Sequence, residues 1–373
     1  MRVRGAVIFS QPGEYQVVDL ELEDPEQGEL QVKMVAAGLC HSDDHIATGD
    51  VQSRVLPICV GHEGAGVVVK VGPHTPGFEV GDPVVFSFLP SCGRCRFCAT
   101  GRQNLCDNGA DILSGTRPGR PGSYRMHLLD GTPVGQSSGI STFAEYTTVS
   151  TMSAIKVDRD LPLDRLCLLG CGVGTGLGSA MNSAEVRPGH TVIVMGVGGV
   201  GINVVQGAAI AGASHVIAVD PVAMKRDAAL KLGGTHAYST IEEAADFARS
   251  VTNGQGADSA IVTIGVTRGV HVRQAFDAIR KAGTVVITGV GPEEESGIPI
   301  PLAMLVSFQK RLQGSLFGQC NPNADILTQC QMYRDGTLNL DDLVTTTYSL
   351  DEVAKGFSDM KAGRNLRGVI SFA

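Results

Sequence analysis

Thr191-Val-Ile-Val-Met195 runs directly into Gly196-Val-Gly-Gly-Val-Gly201 and on into Ile202-Asn-Val-Val-Gln-Gly-Ala-Ala-Ile210. An apolar, β-branched run bounded by glycine reads as a buried strand, and residues 200–212 suit a helix. Between them G-x-G-x-x-G falls at Gly196, Gly198 and Gly201, with Gly199 and Val200 inside the turn. In such a motif the first glycine makes the tight turn and the second lets a pyrophosphate approach the backbone. The third packs helix against strand. The free N–H groups and positive dipole end of the helix then face the phosphates. A second strand, His215–Val219, ends at Asp220, 19 residues after Gly201, where a carboxylate holds the ribose hydroxyls of a dinucleotide. That acid repels a 2′-phosphate, so the expected cofactor is NAD(H). Lys225 and Arg226 lie close by, one expected to flank the ribose and the other to be a solvated helix charge.

Working outward, the alternation continues through a helix at Val222–Leu232 and the segments Ser259–Ile264, Val270–Ile279 and Thr284–Gly289. Strands separated by helices imply βαβ units and a doubly wound parallel sheet. Upstream the pattern differs. Short β-rich runs at Gln31–Ala36, Gly66–Val71, Asp82–Phe86 and Thr142–Val149 alternate with glycine and proline, which predicts a partly open β-barrel. Residues 107–141 read as a long functional or mobile loop. The last stretch returns to helix (Asp325–Arg334), strand (Leu343–Tyr348), helix (Val353–Ala362) and strand (Gly368–Phe372). The expected organisation is an α/β chain of two domains: 1–172 with 318–373, and 173–317.

The net charge of −8 argues against nucleic acid as a partner, since phosphate neutralisation needs a basic face. Ala6–Phe9 is too short an apolar run for a signal peptide, and the apolar region Thr191–Val219 is broken by glycines and polar residues. A cytoplasmic chain without a membrane span is expected. Glycine supplies 48 of 373 residues, above the usual share of about 7%.

Of 10 cysteines, Cys92, Cys95, Cys98 and Cys106 crowd into one short segment. Four closely spaced thiolates suit tetrahedral zinc with Zn–S bonds of about 2.3 Å. An iron–sulfur cluster is the competing reading, but the usual following proline and paired second set are missing. Cys59, Cys167, Cys320 and Cys330 read as small core residues. Three further knots are framed by glycine: Gly38-Leu-Cys40-His-Ser-Asp-Asp-His45, Gly61-His62-Glu63-Gly-Ala-Gly66 and Gly170-Cys171-Gly-Val-Gly-Thr-Gly176. Two cysteines, a histidine and an open fourth position make a recognised catalytic zinc set. By spacing alone these cysteines are equally small buried hydrophobes.

Taken in order, these knots, the four-cysteine loop, Gly196–Gly201 and Asn365-Leu-Arg367-Gly-Val-Ile370 resemble the zinc-containing medium-chain alcohol dehydrogenases over essentially the whole chain. Ser87–Ala110, Gly196–Ala208 and Gly314–Ile326 look most similar to the bacterial nicotinoprotein branch, the nitroso-dimethylaniline (NDMA)-dependent enzymes. The resemblance implies a GroES-like catalytic domain holding both zinc sites, joined to a Rossmann cofactor domain. It implies two Zn²⁺ per chain, one structural and one catalytic, with the catalytic ion on Cys40, His62 and Cys171 and Glu63 able to approach it. Asp43 would orient the histidine, and Ser42 and His45 would relay the alcohol's proton. Thr175 and Val200 would set the nicotinamide face, Lys225 the adenosine ribose, and His41 and Arg367 the pyrophosphate. The implied activity is reversible hydride transfer between a primary alcohol or aldehyde and NAD(H), tightly bound and recycled by an external electron acceptor in this branch. Family members are homodimers or homotetramers, for which Ile298–Leu316 is the expected pairing region. His41 stands where many members carry arginine. The alternative activity is a thiol-adduct (S-hydroxymethyl) formaldehyde dehydrogenase, with Arg117, Arg120 and Arg125 as a basic pocket for the thiol carrier. A third reading, a non-catalytic nucleotide-binding relative, would be expected to have lost zinc ligands.

Overall fold

A computed structural model describes residues 1–292 and 294–372. Contacts divide the chain into Met1–Cys171 with Asn321–Ala373, and Gly172–Cys320. The boundaries expected from sequence stood at 172/173 and 317/318.

The first unit is built on two β-structures. Strands β1 (Arg2–Ile8), β2 (Gln16–Leu22), β4 (Ile58–Cys59), β7 (Met126–Leu128) and β8 (Pro133–Gln136) form a closed barrel in the order β1-β2-β7-β8-β4. The barrel is therefore closed rather than partly open. Its two-residue β4 bonds both β1 and β8, a closure too short to carry a strand signal. The second sheet runs β10-β6-β5-β3-β18-β17, with β9 also on β3. Its members are β3 (Glu29–Gly38), β5 (Glu63–Val71), β6 (Pro83–Phe86), β9 (Tyr146–Ser150), β10 (Ala154–Lys156), β17 (Val344–Tyr348) and β18 (Arg367–Ser371). Short helices α1 (His41–Thr48), α2 (Arg96–Ala99) and α3 (Leu163–Leu166) lie upstream, with α10 (Pro322–Arg334) and α11 (Val353–Lys361) near the end.

Two pairings in this sheet position chemistry. Gly38 stands opposite Glu63 across β3 and β5, and opposite Val369 across β3 and β18. Residues far apart in sequence therefore meet beside Cys40. Leu39, Tyr348, Val353 and Phe357 pack into one apolar core that anchors β3, β17 and α11 together.

The second unit carries, among the described residues, six parallel strands in the order β13-β12-β11-β14-β15-β16. They are β11 (Thr191–Met195), β12 (His215–Val219), β13 (His236–Tyr238), β14 (Ala257–Val262), β15 (Ile279–Ile287) and β16 (Arg311–Gly314). Helices α4 (Gly174–Gly178), α5 (Gly201–Ile210), α6 (Ala223–Lys231), α7 (Ile241–Val251), α8 (Gly269–Ala278) and α9 (Leu302–Ser307) accompany them. Every residue of β11 is buried, as expected of a parallel strand covered on both faces. From β11 the chain winds one way to β12 and β13, then crosses back to β14, β15 and β16. This reversal is the switch point at which doubly wound sheets take ligands beyond the strands' carboxyl ends. Gly196–Gly201 follows β11 there.

No helix among the described residues is long and apolar enough to cross a membrane.

Candidate active site and metal centres

Among the described residues, two groups of side chains present metal-ligating atoms within 4.8 Å of one another: Cys92, Cys95, Cys98, Cys106, and Cys40, His62, Glu63, Cys171. The first is local. Backbone N–H groups turn onto the sulfurs, Cys95 N–H onto Cys92 Sγ at 3.3 Å, Cys98 N–H onto Cys95 Sγ at 3.4 Å and Cys92 N–H onto Cys106 Sγ at 3.4 Å. These bonds favour the thiolate. The N–H of Cys98 helps bring the Cys95 thiol down to about 6, and that of Arg94 lowers Cys92. Burial instead pushes Cys106 up to about 12. Cys92 and Cys98 Sγ stand 4.0 Å apart, near the about 3.8 Å edge of a tetrahedron with 2.3 Å bonds. The donor set fits zinc.

The second group is assembled from three parts of the sequence. Cys40 precedes α1, His62 and Glu63 lie at the start of β5, and Cys171 sits in a π-helical turn over Leu169–Val173. Glycine allows the approach. A Cβ on Gly170 would lie 1.8 Å from Phe86 O, and one on Gly38 2.1 Å from Glu63 Oε2. His62 Nδ1 stands 3.0 Å from Asp43 Oδ2, and Asp43 Oδ1 accepts the Gly61 N–H at 2.9 Å. Burial opposes the charged imidazole, but Asp43 and Cys40 outweigh it and hold His62 well above the usual range. The Cys171 thiol, hydrogen-bonded to the Cys40 sulfur, holds Cys40 well below the usual thiol range. His62 Nε2 is buried and has no hydrogen-bond partner. An orphaned nitrogen beside two sulfurs is the donor a soft cation uses.

Around this cluster, Glu63 pairs closely with Arg367, whose Nη2 also donates to Leu39 O at 3.2 Å. Arg367, which the resemblance places at a pyrophosphate, is thus buried against Glu63. Ser42 Oγ lies 3.7 Å from Cys40 Sγ. His41 is half-buried with its ring 6.1 Å from that of His45. His45 is only 4% exposed, with Nδ1 3.0 Å from Asp50 Oδ2. Asp50 was not among the residues singled out from sequence; its only signal was the Gly49-Asp50 pair that follows α1.

In the second unit Gly196 adopts φ of +87°, a conformation that favours glycine. A Cβ on Gly198 would meet only Lys225 Nζ at 4.0 Å, whereas one on Gly201 would lie 1.9 Å from Gly196 O. The turn is open where a phosphate would approach and closed where helix meets strand, so the cradle fits a dinucleotide. Gly199 and Val200 are half-buried in it. Asp220 accepts from Val197 N–H at 3.0 Å and Val222 N–H at 2.9 Å, which fixes its carboxylate. Arg226 donates to the carbonyls of Asp220 and Pro221, leaving Lys225 as the cation facing the glycine turn. Thr175 is buried on α4.

Two of the three arginines of the 107–141 segment are buried on carboxylates and do not line an open basic pocket. Arg117 and Arg125 are buried, and both donate through Nε to Glu29 Oε1, at 3.1 and 2.9 Å. Arg120 alone of the three is exposed, paired with Glu26. This segment carries β7 and β8, so it is pinned structure and not a free loop. The four remaining cysteines, Cys59, Cys167, Cys320 and Cys330, are buried.

Residues 26–159 match the family described as the alcohol dehydrogenase GroES-like domain, and 199–330 that described as zinc-binding dehydrogenase. The chain is 48% identical to the NDMA-dependent alcohol dehydrogenase of Amycolatopsis methanolica, over 99% of each. It is 34% identical to the S-(hydroxymethyl)glutathione dehydrogenase of Paracoccus denitrificans, over 100% of each. Among solved structures, benzyl alcohol dehydrogenase from Acinetobacter calcoaceticus superposes with a TM-score of 0.91 at 28% identity, covering 100% of both chains. With one family matching each unit and a relative of this identity spanning nearly its full length, the chain belongs to the zinc-binding alcohol dehydrogenase family.

Proposed function

We propose that the protein interconverts a primary alcohol and its aldehyde with NAD(H). In this reading Cys40, His62 and Cys171 hold a catalytic zinc, and Cys92, Cys95, Cys98 and Cys106 a structural one. The observation that carries it is the convergence of Cys40, His62, Glu63 and Cys171, from three separate stretches of sequence, on a shared point beside the Ser42 hydroxyl. When bound, zinc supplies Lewis acidity that favours the alkoxide, and the nicotinamide accepts hydride. The chain's own part is to orient and to move protons. Asp43 fixes the His62 ring, Ser42 takes up the substrate's hydroxyl proton, and His45 passes it on. Glu63, paired with Arg367, is a spare carboxylate for the ion. Gly196, Gly198, Gly199, Val200 and Gly201 cradle the pyrophosphate. Asp220 and Lys225 hold the ribose, and Thr175 with Val200 sets the nicotinamide face.

Retention of the cofactor, with an external acceptor recycling it in place, is supported by the 48% identity to an NDMA-dependent relative. A homodimer or homotetramer forming through Ile298–Leu316 is supported by the exposure of Leu302 and Val306, 75% and 74%. Ten free cysteines suit a cytoplasmic, reducing setting.

One purified sample decides most of this. Two zinc ions and one nicotinamide per chain are expected after desalting, with the fluorescence of reduced nicotinamide appearing when alcohol is added. A clean spectrum with full activity on added NAD would restrict the proposal to an ordinary exchanging dehydrogenase. Full turnover by Cys40→Ala protein that has lost one zinc would overturn the zinc mechanism.

A further inference from the structure

His45 sits in α1 with its ring buried, yet a relay member has to hand protons onward. The helix ends at Gly49, whose φ of +85° reverses the chain. The N–H groups of Gly49 and Val51 both return to His45 O at 3.1 Å. This reversal folds Asp50 back over the helix it has just left, with Oδ2 3.0 Å from His45 Nδ1. Thr48 Oγ1 donates to the same carboxylate oxygen at 2.9 Å.

The turn is clamped from outside. Gln11 Nε2 donates to Ile46 O at 2.6 Å and Val51 O at 3.1 Å, and Gln11 Oε1 accepts from Ser53 N–H at 2.9 Å. Gly13 N–H adds a bond to Ala47 O at 2.9 Å. Of the other charged groups on this helix, Asp44 pairs with Lys361 at 3.2 Å and Asp43 with His62. The His41 ring is 6.1 Å from that of His45. Asp50 is the carboxylate left to serve His45.

We propose that Asp50 is a positioning residue of the proton relay. An ionised carboxylate can only accept, so a neutral His45 facing it must carry its hydrogen on Nδ1. That tautomer places the ring's acceptor lone pair on Nε2, the form needed to take a proton. The inference rests on the relay role of His45 in the proposed function. During alcohol oxidation the hydroxyl proton ends on Nε2, while the carbon-bound hydride leaves to the oxidised nicotinamide. The imidazolium keeps its Nδ1–H on the Asp50 carboxylate, which stays ionised throughout, and gives up the Nε2 proton to water, which restores the Nδ1–H ring for the next turnover.

The test reads the ring directly. In protein labelled with ¹⁵N-histidine, with His45→Gln to assign the signal, wild-type His45 is expected to show Nδ1–H at a pH where the ring is neutral. Asp50→Ala is expected to release it to a mixture dominated by Nε2–H. The same variant is expected to lose about 10- to 100-fold in kcat with KM within about twofold, because orientation and not substrate binding is lost. Wild-type His45 found as Nε2–H, which needs no variant at all, would overturn the proposal. An Asp50→Ala protein that is folded and keeps both tautomer and kcat would do the same. The tautomer readout does not depend on turnover: failure of the wild-type protein to oxidise any alcohol would sink the proposed function and leave the ring measurement intact.

Discussion

At Glu29 a buried carboxylate oxygen accepts from two buried guanidiniums, Arg117 and Arg125, that come from 88 and 96 residues away. Burial works to raise this carboxyl, but Arg125 and Arg117 overcome it and hold it below its usual value. Glu29→Gln removes the carboxylate that two buried cations share, leaving Arg117 its pair with Glu23 but Arg125 none of its ion pairing to Glu29, and is expected to cost about 3–5 kcal/mol, read as a lower denaturant midpoint. The sign with pH follows from the lowered folded value. The stabilisation is present above the unfolded carboxylate value of about 4.3 and drains away as pH falls through the folded one. The wild-type advantage over Glu29→Gln should therefore shrink on acidification. Ser42 makes a different prediction, since the proposed function gives its exposed hydroxyl the proton relay. Ser42→Ala should keep both zinc ions while kcat drops by about 10²–10⁴, checked by metal analysis alongside initial rates.

Single elements differ in how much of them could be read from the chain alone. The turn from β11 into α5 was fully legible, because its glycines, strand and helix are contiguous and each has one physical job. Gly201→Ala should place a methyl 1.9 Å from Gly196 O and 2.6 Å from Thr263 Oγ1. A loss of about 1–3 kcal/mol, together with loss of bound nicotinamide, should show in thermal melts and absorbance. The cysteine segment was legible for the same reason, with all four sulfurs within one short stretch. Arg117 and Arg125 were misjudged because a buried cation is made tolerable only by its partner, and nothing near them in sequence announces Glu29. Barrel closure was missed because β4 is two residues long. The role of Asp50 escaped because its neighbour in space depends on a left-handed turn at Gly49, and Gly-Asp alone marks only a turn.

For the molecule as a whole, the exposed α9 face predicts its assembly state. If the proposed oligomer forms through this face, Leu302→Asp with Val306→Asp should give monomers in analytical ultracentrifugation where the wild type does not, while both zinc ions remain, and an unchanged sedimentation coefficient would discard this face as the contact. The discontinuous first unit has another consequence, which concerns time. Arg367 reaches Glu63 only because β18 pairs with β3, across 304 residues of chain. At ribosomal rates of about 5–20 residues per second, Glu63 waits about 15–60 s for its cation. Within that interval the whole second unit, Gly172–Cys320, is made and becomes free to fold, while β3 still presents an open edge where β18 belongs. The nascent chain thus carries an unpaired strand and an unneutralised buried acid until almost its last residues emerge. It is in this window, and not in the finished enzyme, that the fold is most exposed to chaperones and to aggregation.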